Sequence, residues 1–270
     1  MSDSILIRRD EGAITHLVLN APSSLNALSD AMLARLKEEF TELMDSASAR
    51  VVVISGMGKA FCAGHDLKEM TAKRQAEDGG AAALGDLFAR CGEVMQMITR
   101  LPQPVIAQTH GIATAAGCQL VASCDLAIAA EGTRFGVNGV NIGLFCSTPM
   151  VALSRNMPRK QVMEMLVTGN FIEARRAQEL GLINRVVPEA DLEAEAQALA
   201  QQIAGKLGRA VRIGKRAFYD QIQMPLDQAY EFTGAVMVEN MLDADTEEGI
   251  KAFLEKRDPV WTQRDPVWTQ

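Results

Sequence analysis

Two short segments combine small residues with the start of a helix in a way that suits the binding of a negatively charged oxygen. They are FCAGHDLKEM at residues 61–70 and HGIATAAGCQL at residues 110–120. Each leads an apolar strand into a turn of small residues and then into a helix, whose first N–H groups lack internal partners. Two such turns facing one another would aim two N–H donors at one oxygen, with a helix dipole behind one donor. Taken singly, either segment is more typical of an ordinary tight turn.

The segments that must position these turns alternate between strands and helices. Strands are predicted at residues 4–9 and 14–20, which form a hairpin, and at 50–57, 104–111, 125–131 and 183–188. Residues 58–70 are expected to be a loop and residues 111–117 a turn. Helices are predicted at 26–46 with Ser29 or Asp30 as cap, at 81–101, at 118–124, over much of 138–182, and at 190–207, 209–222, 226–243 and 246–256. The alternation predicts an α/β body with parallel strands, followed by a helical layer in the last third.

A dinucleotide-binding domain is the first alternative for such an alternation. It fails because no GxGxxG follows the first strand, and the first helix opens with SLNALSDAM rather than a glycine turn. No P-loop motif is present either.

Composition and charge argue against several classes of partner. The net charge of −7, with no long basic run in 270 residues, argues against nucleic acid. No run of about 18 apolar residues occurs, so neither a membrane span nor a membrane partner is expected. Five cysteines without CxxC spacing predict reduced thiols and no metal site in a cytoplasmic protein. Residues 264–270 repeat residues 257–263, and this duplicated tail is more typical of a copying artefact than of a functional repeat.

A succession of motifs extends over nearly the whole chain beyond the two turns. It comprises NAPSSLNALS (20–29), GKAFCAGHDLKEM (58–70), the stretch from PVIAQTHG to GTRFG (104–136), MEMLVTGNFIEARRAQELGLINRVVP (163–188) and EEGIKAFLEKRDPVW (247–261). This succession resembles the crotonase (enoyl-CoA hydratase/isomerase) superfamily. Within it, CQLVASCD (118–125) and NIGLFCSTP (141–149) are most similar to the branch called enoyl-CoA hydratase domain-containing protein 3.

The resemblance implies a fold, an assembly and a ligand. The fold is a spiral of ββα units, with a core over residues 1–200 and a C-terminal helical trimerisation region over residues 201–263. The assembly is a homotrimer or homohexamer. The ligand is an acyl-CoA thioester, so coenzyme A enters as part of the substrate and no separate cofactor is expected.

The resemblance also assigns roles to individual residues. The thioester oxygen is expected between the backbone N–H groups of His65 and Ala116, with Gly117 adjacent. Ala116 departs from the glycine usual in the family, although its N–H survives.

Three residues of the first segment are matched to coenzyme A. The carbonyl of Ala63 is expected to meet the adenine, and Asp66 to cap the helix that follows. Lys68 is expected to approach the phosphates, although an exposed lysine is as commonly just solvated.

The sequence departs from the family at both positions of the hydratase glutamates. Gln119 stands at the first position and Gly139 at the second. Neither residue titrates, and general acid–base help is typically worth ~10²–10⁴-fold per group. Efficient hydration is therefore not expected, and simple isomerisation, which depends on the second glutamate, is disfavoured too.

Two other residues leave open whether the site contains a base. Other family branches place an aspartate where this chain has Ser147, although Ser147 or Thr148 is more typical of a cap on a helix beginning near Pro149. The imidazole of His65 is placed to reach the acyl pocket and titrate near neutrality, or simply to line its mouth. Two hypotheses follow: an acyl-CoA enzyme with unusual or substrate-assisted proton transfer, and a non-catalytic acyl-CoA binding or regulatory protein. A third, residual hydratase activity, is disfavoured by the lost glutamates.

Overall fold

The computed structural model describes residues 4–262 of the chain. Its strands are β1 (Leu6–Glu11), β2 (Ile14–Leu19), β3 (Val51–Gly56), β4 (Val105–Thr109), β5 (Ile112–Thr114), β6 (Leu126–Ala130), β7 (Arg134–Gly136), β8 (Ile172–Glu173) and β9 (Arg185–Val187). Its helices are α1 (Asp30–Met44), α2 (Leu67–Lys73), α3 (Ala81–Arg100), α4 (Ala116–Ser123), α5 (Pro149–Asn156), α6 (Arg159–Thr168), α7 (Ala174–Glu179), α8 (Leu192–Ala204), α9 (Gly208–Gln221), α10 (Leu226–Met241) and α11 (Ala244–Leu254). Within residues 4–262, no helix is long and apolar enough to cross a membrane.

The larger sheet has the strand order β1-β2-β3-β4-β6-β9. Only the β1–β2 hairpin is antiparallel, and the other four pairings are parallel. Parallel strands require crossover connections, which the helices between them supply. The predicted α/β body with a parallel sheet is therefore present.

Strand β3 is buried on both faces, as its unbroken apolar sequence predicts. Val52 and Ile54 point to the main core, which packs against α1, α3 and α4. Val51 and Val53 point to a second cluster, in which Leu192 and its neighbours on α8 cover the other face of the sheet. The two-residue period of a strand divides the side chains between these clusters.

A smaller sheet with the order β5-β7-β8 stands beside the larger one. The prediction of a turn over residues 111–117 is wrong for Ile112–Thr114, because these residues pair in parallel with Arg134–Gly136. Each of the units β4-β5-α4 and β6-β7-α5 sends its first strand to the larger sheet and its second to the smaller one. The chain thus repeats a strand–strand–helix order that winds from one sheet to the other.

The boundaries of most long elements agree with the sequence prediction. Helix α1 is capped by Ser29, whose hydroxyl accepts from the N–H of Met32. The loop predicted over residues 58–70 is wrong at its end, since α2 begins at Leu67. Residue 200, the predicted core boundary, lies within α8, and the division at that point stays a prediction. The duplicated tail at 264–270 lies outside the described residues.

Helix α9 is attached to the core by a buried ion pair. The Nζ of Lys215, which is 9% exposed, donates to the carboxylate of Asp125 at 2.6 Å and to the carbonyls of Ile98 and Gln103 at 2.8 Å each. The hydroxyl of Tyr219 donates to the other oxygen of Asp125 at 2.8 Å. All three ammonium protons of Lys215 therefore have acceptors, as a buried charge requires.

Candidate active site

The first predicted turn lies alongside β5 and is hydrogen bonded to it. The N–H of Phe61 donates to the carbonyl of His110 at 3.1 Å, and that of Cys62 to Ile112 at 3.2 Å. The N–H of Thr114 donates back to Cys62 at 3.0 Å. These hydrogen bonds hold the first turn against the start of the second turn.

Two glycines allow the turns to come into contact. Gly64 has a φ of +90°, and a Cβ added to it would lie 2.9 Å from the Cβ of Ala115 and 3.2 Å from the N atom of Ala116. A Cβ on Gly117 would lie only 2.2 Å from the carbonyl oxygen of Cys62. Glycine is therefore required at both positions, and the structure brings the two turns predicted from sequence together.

The N–H groups of His65 and Ala116 are the donors of interest. His65 forms an isolated parallel bridge with Leu28, whose N–H donates to the carbonyl of Gly64 at 2.7 Å. In a parallel bridge one residue bonds to the neighbours of the other, and here Leu28 bonds to Gly64, so the N–H of His65 points away from Leu28. Ala116 is the first residue of α4, where an N–H has no intrahelical acceptor. Among residues 4–262, neither N–H donates to another backbone group.

The residue before α4 has a strained backbone. Ala115 adopts φ 50° and ψ −121°, a conformation that is normally accessible to glycine alone. Its N–H donates to the carbonyl of Gly136 at 2.9 Å, which ties the turn to the smaller sheet. All eight residues of α4 are buried, so the surrounding core holds this conformation in place.

The imidazole of His65 lies in an apolar setting. Burial lowers its pKa from the ordinary value of 6.5 to about 4. Its Nε2 atom is buried without a hydrogen-bond partner, and its ring meets that of Phe88 edge-on at 5.5 Å between centroids. Of the two interpretations of this imidazole, lining the mouth of the pocket is favoured over titration near neutrality, because the surroundings favour the neutral ring.

Gln119 lies one turn into α4 and is only 4% exposed. Its side-chain Oε1 is buried and has no hydrogen-bond partner among the described residues. Its backbone N–H donates to Ala115 at 3.0 Å, as expected in the first turn of the helix. The position that the resemblance matches to the first glutamate therefore contains a buried polar group that does not titrate.

Gly139 is closed off by the backbone that follows it. A Cβ at this residue would lie 2.2 Å from the carbonyl oxygen of Leu144 and 2.9 Å from the Sγ of Cys146. The N–H of Leu144 donates to the carbonyl of Gly139 at 2.9 Å, which fixes this close approach. No side chain fits here without movement of the backbone, so the position that the resemblance matches to the second glutamate has no room for one.

Ser147 and Thr148 precede α5 and do not form a side-chain cap. Thr148 occupies the N-cap position, but its hydroxyl makes no cap bond. Ser147 is exposed, and its hydroxyl has a long contact of 3.5 Å with the carbonyl of Phe145. The interpretation of either side chain as a helix cap is wrong, and no base activates Ser147 through a described hydrogen bond.

A polar contact near the turns was missed by the sequence reasoning. The Oγ1 of Thr114 donates to the Oδ1 of Asn138 at 2.6 Å and ties the end of β5 to the segment containing Gly139. These two side chains are distant in sequence, and only the pairing of β5 with β7 brings them together.

The residues matched to coenzyme A lie at the start of α2. Asp66 caps this helix, accepting from the N–H groups of Lys68 at 2.8 Å and Glu69 at 3.3 Å, which confirms the predicted cap. The N–H of Ala63 donates to Leu25 at 3.0 Å. Lys68 is exposed and lines an open groove of about 520 Å³ together with Leu67, Thr71, Ala72 and Gln75.

The thiols beside the turns are unsuited to acid–base chemistry at neutral pH. Burial raises the pKa of Cys62 to about 12, and that of Cys118 likewise to about 12. Both therefore behave as small buried hydrophobes. Residues 4–262 contain no cluster of three His, Cys, Asp or Glu side chains arranged to hold a metal ion.

This fold and pair of turns define the class of protein. The chain belongs to the enoyl-CoA hydratase/isomerase family, whose model matches residues 9–264. It is 46% identical to the human mitochondrial enoyl-CoA hydratase domain-containing protein 3, over 94% of this chain and 82% of that protein. It is 44% identical to the Xenopus laevis protein of the same name, over 96% of this chain and 86% of that protein.

Solved structures agree with this assignment. An enoyl-CoA hydratase from Mycobacterium smegmatis superposes with a TM-score of 0.92 at 53% identity, covering 96% of this chain and 99% of that one. Human enoyl-CoA hydratase domain-containing protein 3 superposes with a TM-score of 0.91 at 44% identity, covering 96% and 100% respectively. The predicted superfamily, branch and fold are confirmed. The predicted cytoplasmic location is contradicted, because the matching domain-containing protein 3 relatives are named mitochondrial.

Proposed function

We propose that this chain binds an acyl-CoA thioester and polarises its carbonyl without hydrating the acyl chain efficiently. One observation carries the proposal: the contacting turns present two N–H groups, of His65 and Ala116, that donate to no other backbone group among the described residues. Coenzyme A enters as part of this ligand, and no separate cofactor is required.

The physical effect of the two donors is to stabilise negative charge on the thioester oxygen. A carbonyl oxygen held between them gains charge as an enolate-like intermediate forms at the neighbouring carbon. The Ala116 donor is also the first N–H of α4, so the helix dipole adds to the stabilisation. Because the donors belong to the backbone, their positions depend on the packing of the turns rather than on side-chain rotamers.

The same site lacks the groups that hydration requires. Water must lose a proton to a base while the α-carbon gains one. Gln119 cannot accept a proton, and the backbone of Leu144 leaves no space for a side chain at Gly139. A reaction at this site must take its proton transfer from the substrate, from solvent, or weakly from His65.

Calorimetric titration with crotonyl-CoA, with absorbance read at the enoyl thioester band on the same sample, tests the proposal. We expect saturable binding without loss of the band. Rapid loss of the band would show that hydration proceeds without the glutamates and would contradict the roles given to Gln119 and Gly139. Absence of binding would overturn the acyl-CoA assignment.

A backbone substitution tests the Ala116 donor directly. Ala116→Pro removes the N–H at the first position of α4, where proline is best tolerated in a helix. We expect the carbonyl stretch of bound, ¹³C-labelled butyryl-CoA to lose most of its downward shift, and the affinity to fall about tenfold. Ala116→Gly keeps the N–H and serves as the matched control. An unchanged stretch in a folded Ala116→Pro protein would exclude this N–H as a donor.

A non-catalytic acyl-CoA binding protein is the second candidate, and the environment of His65 favours it. With its pKa lowered to about 4, this imidazole is a weak base at neutral pH. Exchange of the α-protons of butyryl-CoA in D₂O, followed by NMR, separates the candidates. Exchange faster than in buffer indicates an enzyme that forms an enolate, whereas exchange at the buffer rate indicates a binding protein.

We also propose that the C-terminal helices mediate self-association into a trimer or hexamer. Helix α10 has several large apolar side chains that are exposed, and Ala229 is its only buried residue. They are Leu226, Tyr230, Met237, Val238 and Met241. Large exposed apolar patches usually mark an interface. Sedimentation velocity should give a trimer or hexamer for the wild type and smaller species for Val238→Glu, with Glu231→Gln on the same helix as control. A wild-type monomer at micromolar concentration would contradict this proposal.

The coenzyme A moiety is proposed to lie along the start of α2. Lys68 is exposed at the rim of the groove on this helix and carries the positive charge that a phosphate requires. Ala63 and Asp66 contribute through the backbone and the helix cap, respectively. Lys68→Gln should weaken the binding of crotonyl-CoA while leaving the binding of a pantetheine thioester, which lacks the nucleotide phosphates, unchanged.

A further inference from the structure

Helix α2, which carries the groove proposed for coenzyme A, has little apolar contact with the rest of the protein. None of its seven residues is buried, and Leu67 at its start is exposed. Met70 is partly buried against the main core. A helix of this length is too short to be stable by itself. The polar contacts of α2 with neighbouring elements therefore matter for where the groove lies.

Asp30, the first residue of α1, makes polar contacts with both α2 and α3. Lys73, at the end of α2, donates to one oxygen of its carboxylate, and Arg90 of α3 donates to the other oxygen at 2.6 Å. The backbone N–H of Asp30 donates in return to the Oε2 of Glu69 on α2, at 2.8 Å. One residue is thus bonded to two helices, and to α2 at two points.

The carboxylate of Asp30 stays charged because of its two cationic partners. Hydrogen bonds from Lys73 and then from Arg90 lower the pKa of Asp30 from its ordinary value of 3.8. The side chain of Lys73 is only 16% exposed, so water and salt screen this pair less than a pair on the open surface. Asp30 itself is 41% exposed, and we expect its ion pairs to fix the orientation of α2 more than to stabilise the whole protein.

The start of α1 is also bonded to the first turn of the candidate site. The N–H of Leu28 donates to the carbonyl of Gly64 at 2.7 Å. His65 follows directly in the chain, and its ring meets that of Phe88 on α3. The contacts of Asp30 with α2 and α3 therefore set the direction in which α2 leaves the turn that carries the His65 donor.

We propose that Asp30 is a positioning residue for coenzyme A, which holds α2 so that Lys68 faces the nucleotide phosphates. The inference rests on the proposed acyl-CoA site and adds to it a residue that acts without touching the ligand. A negative charge repels phosphate, so any favourable effect of Asp30 must pass through the helix. Lys68 and Lys73 stand five positions apart on α2, which is about 140° around a helix. One lysine can therefore bond to α1 while the other stays in the open groove.

Titrations with crotonyl-CoA and with the crotonyl thioester of pantetheine, which lacks the nucleotide phosphates, test the inference. Asp30→Asn removes two ion pairs and should weaken the binding of crotonyl-CoA about 3–10-fold, while the binding of the pantetheine thioester stays unchanged. Asp30→Glu keeps a carboxylate and should restore most of the affinity. Asp86→Asn is the matched control, because Asp86 bonds to Arg90 at 2.7 Å within α3. It should leave the affinity for both ligands unchanged.

A double variant separates positioning of Lys68 from a general loss of structure. In Lys68→Gln the proposed phosphate contact is already absent, so adding Asp30→Asn should change the affinity for crotonyl-CoA by less than about twofold. A further several-fold loss would show that Asp30 acts by another route and would overturn the inference. Equal weakening of both ligands by Asp30→Asn alone would overturn it as well.

The remaining outcomes distinguish the inference from the proposed function. Unchanged binding of crotonyl-CoA by Asp30→Asn would overturn the inference and leave the acyl-CoA site standing. Binding of neither thioester by the wild type would overturn the acyl-CoA site, and the inference with it.

Hydrogen exchange measures the attachment of α2 without any ligand. The N–H of Met70 donates to the carbonyl of Asp66 at 3.0 Å, and that of Arg74 to the carbonyl of Met70 at 3.3 Å. Asp30→Asn should speed exchange at these two amides about 3–10-fold, while the amides of the buried α4 keep their rates. Equal rates at α2 in the variant and the wild type would show that Asp30 does not hold this helix.

Discussion

Helix α4 buries all eight of its residues, whereas α10, with sixteen, buries only Ala229. Helix α4 is short and apolar and begins at the strained turn beside Gly64, so contact on every side determines its position. Helix α10 presents large apolar side chains to solvent. A single chain thus brings both turns of the candidate site into contact, while its C-terminal region has exposed apolar surface.

Helix α9 packs against α10 and is attached to the core by buried polar contacts. Lys215 and Tyr219 reach from this helix to Asp125, which also accepts from the N–H of Val105 at 2.6 Å. The ammonium group thereby bridges the end of α3, the start of β4 and the start of β6. Burial lowers the pKa of Lys215, whereas the nearby Asp125 opposes this shift.

The largest expected effect comes from breaking this link. Lys215→Met leaves the carboxylate of Asp125 without its counter-ion and two carbonyls without donors, which should lower the free energy of unfolding by about 3–5 kcal/mol. Urea denaturation measures this change. Arg216→Met is the matched control, because Arg216 is 80% exposed and its pair with Asp220 should contribute within about 0.5 kcal/mol. Equal effects of the two substitutions would show that the link does not hold α9 to the core.

The next effect concerns the half-buried His65 of the site and appears only in acid. The unfolded chain binds a proton at His65 near its ordinary pKa of 6.5, whereas the folded protein does so only near 4. As pH falls from about 6.5 to 4, the free energy of unfolding should therefore fall by up to about 3 kcal/mol relative to His65→Leu. Above pH 7 the difference between the two proteins should be constant. A difference that is constant down to pH 4 would show that the imidazole is solvated.

A smaller effect is expected from adding one methyl group to the closed position. Gly139→Ala places a Cβ against the carbonyl of Leu144, which should lower the free energy of unfolding by about 1–3 kcal/mol. Gly132→Ala, where a Cβ has no atom within 4 Å, should change it by less than about 0.5 kcal/mol. If Gly139→Ala proves as stable as the wild type, the backbone at Leu144 yields easily and the position is not closed.

The smallest effect is a gain in stability. Ala115→Gly relieves the strain of a φ of 50° and ψ of −121° at the entry to α4, which should outweigh the added chain entropy and raise the free energy of unfolding by about 1 kcal/mol. Ala122→Gly, within the same helix, should instead lower it by about 0.5–1 kcal/mol. Thermal unfolding of both variants checks the opposite signs. Loss of stability in Ala115→Gly would mean that the methyl group contributes more through packing than it costs in strain.

Much of this molecule was predictable from local patterns. The apolar period of α1 and its Ser29 cap, the Asp66 cap of α2 and the long helix α3 depend on residues close together in sequence, so a short window contains the information. Strand β5 was missed because three residues among alanines and glycines have no period of their own. Its identity as a strand depends on pairing with β7.

The chemistry of the site likewise depends partly on residue identity and partly on tertiary contacts. The sequence alone determined that Gln119 and Gly139, the positions that the resemblance matches to the family's two glutamates, have no titratable side chain in any fold. It also determined that small residues occupy both turns. Tertiary structure decided what these facts mean. The contact between Gly64 and Ala116 joins segments that are distant in sequence, and the lowered pKa of His65 and the unpaired oxygen of Gln119 arise from burial. The closure of Gly139 by Leu144 depends on how the backbone between these two residues turns. Packing and desolvation act through space, and residue order alone does not specify which atoms they bring together.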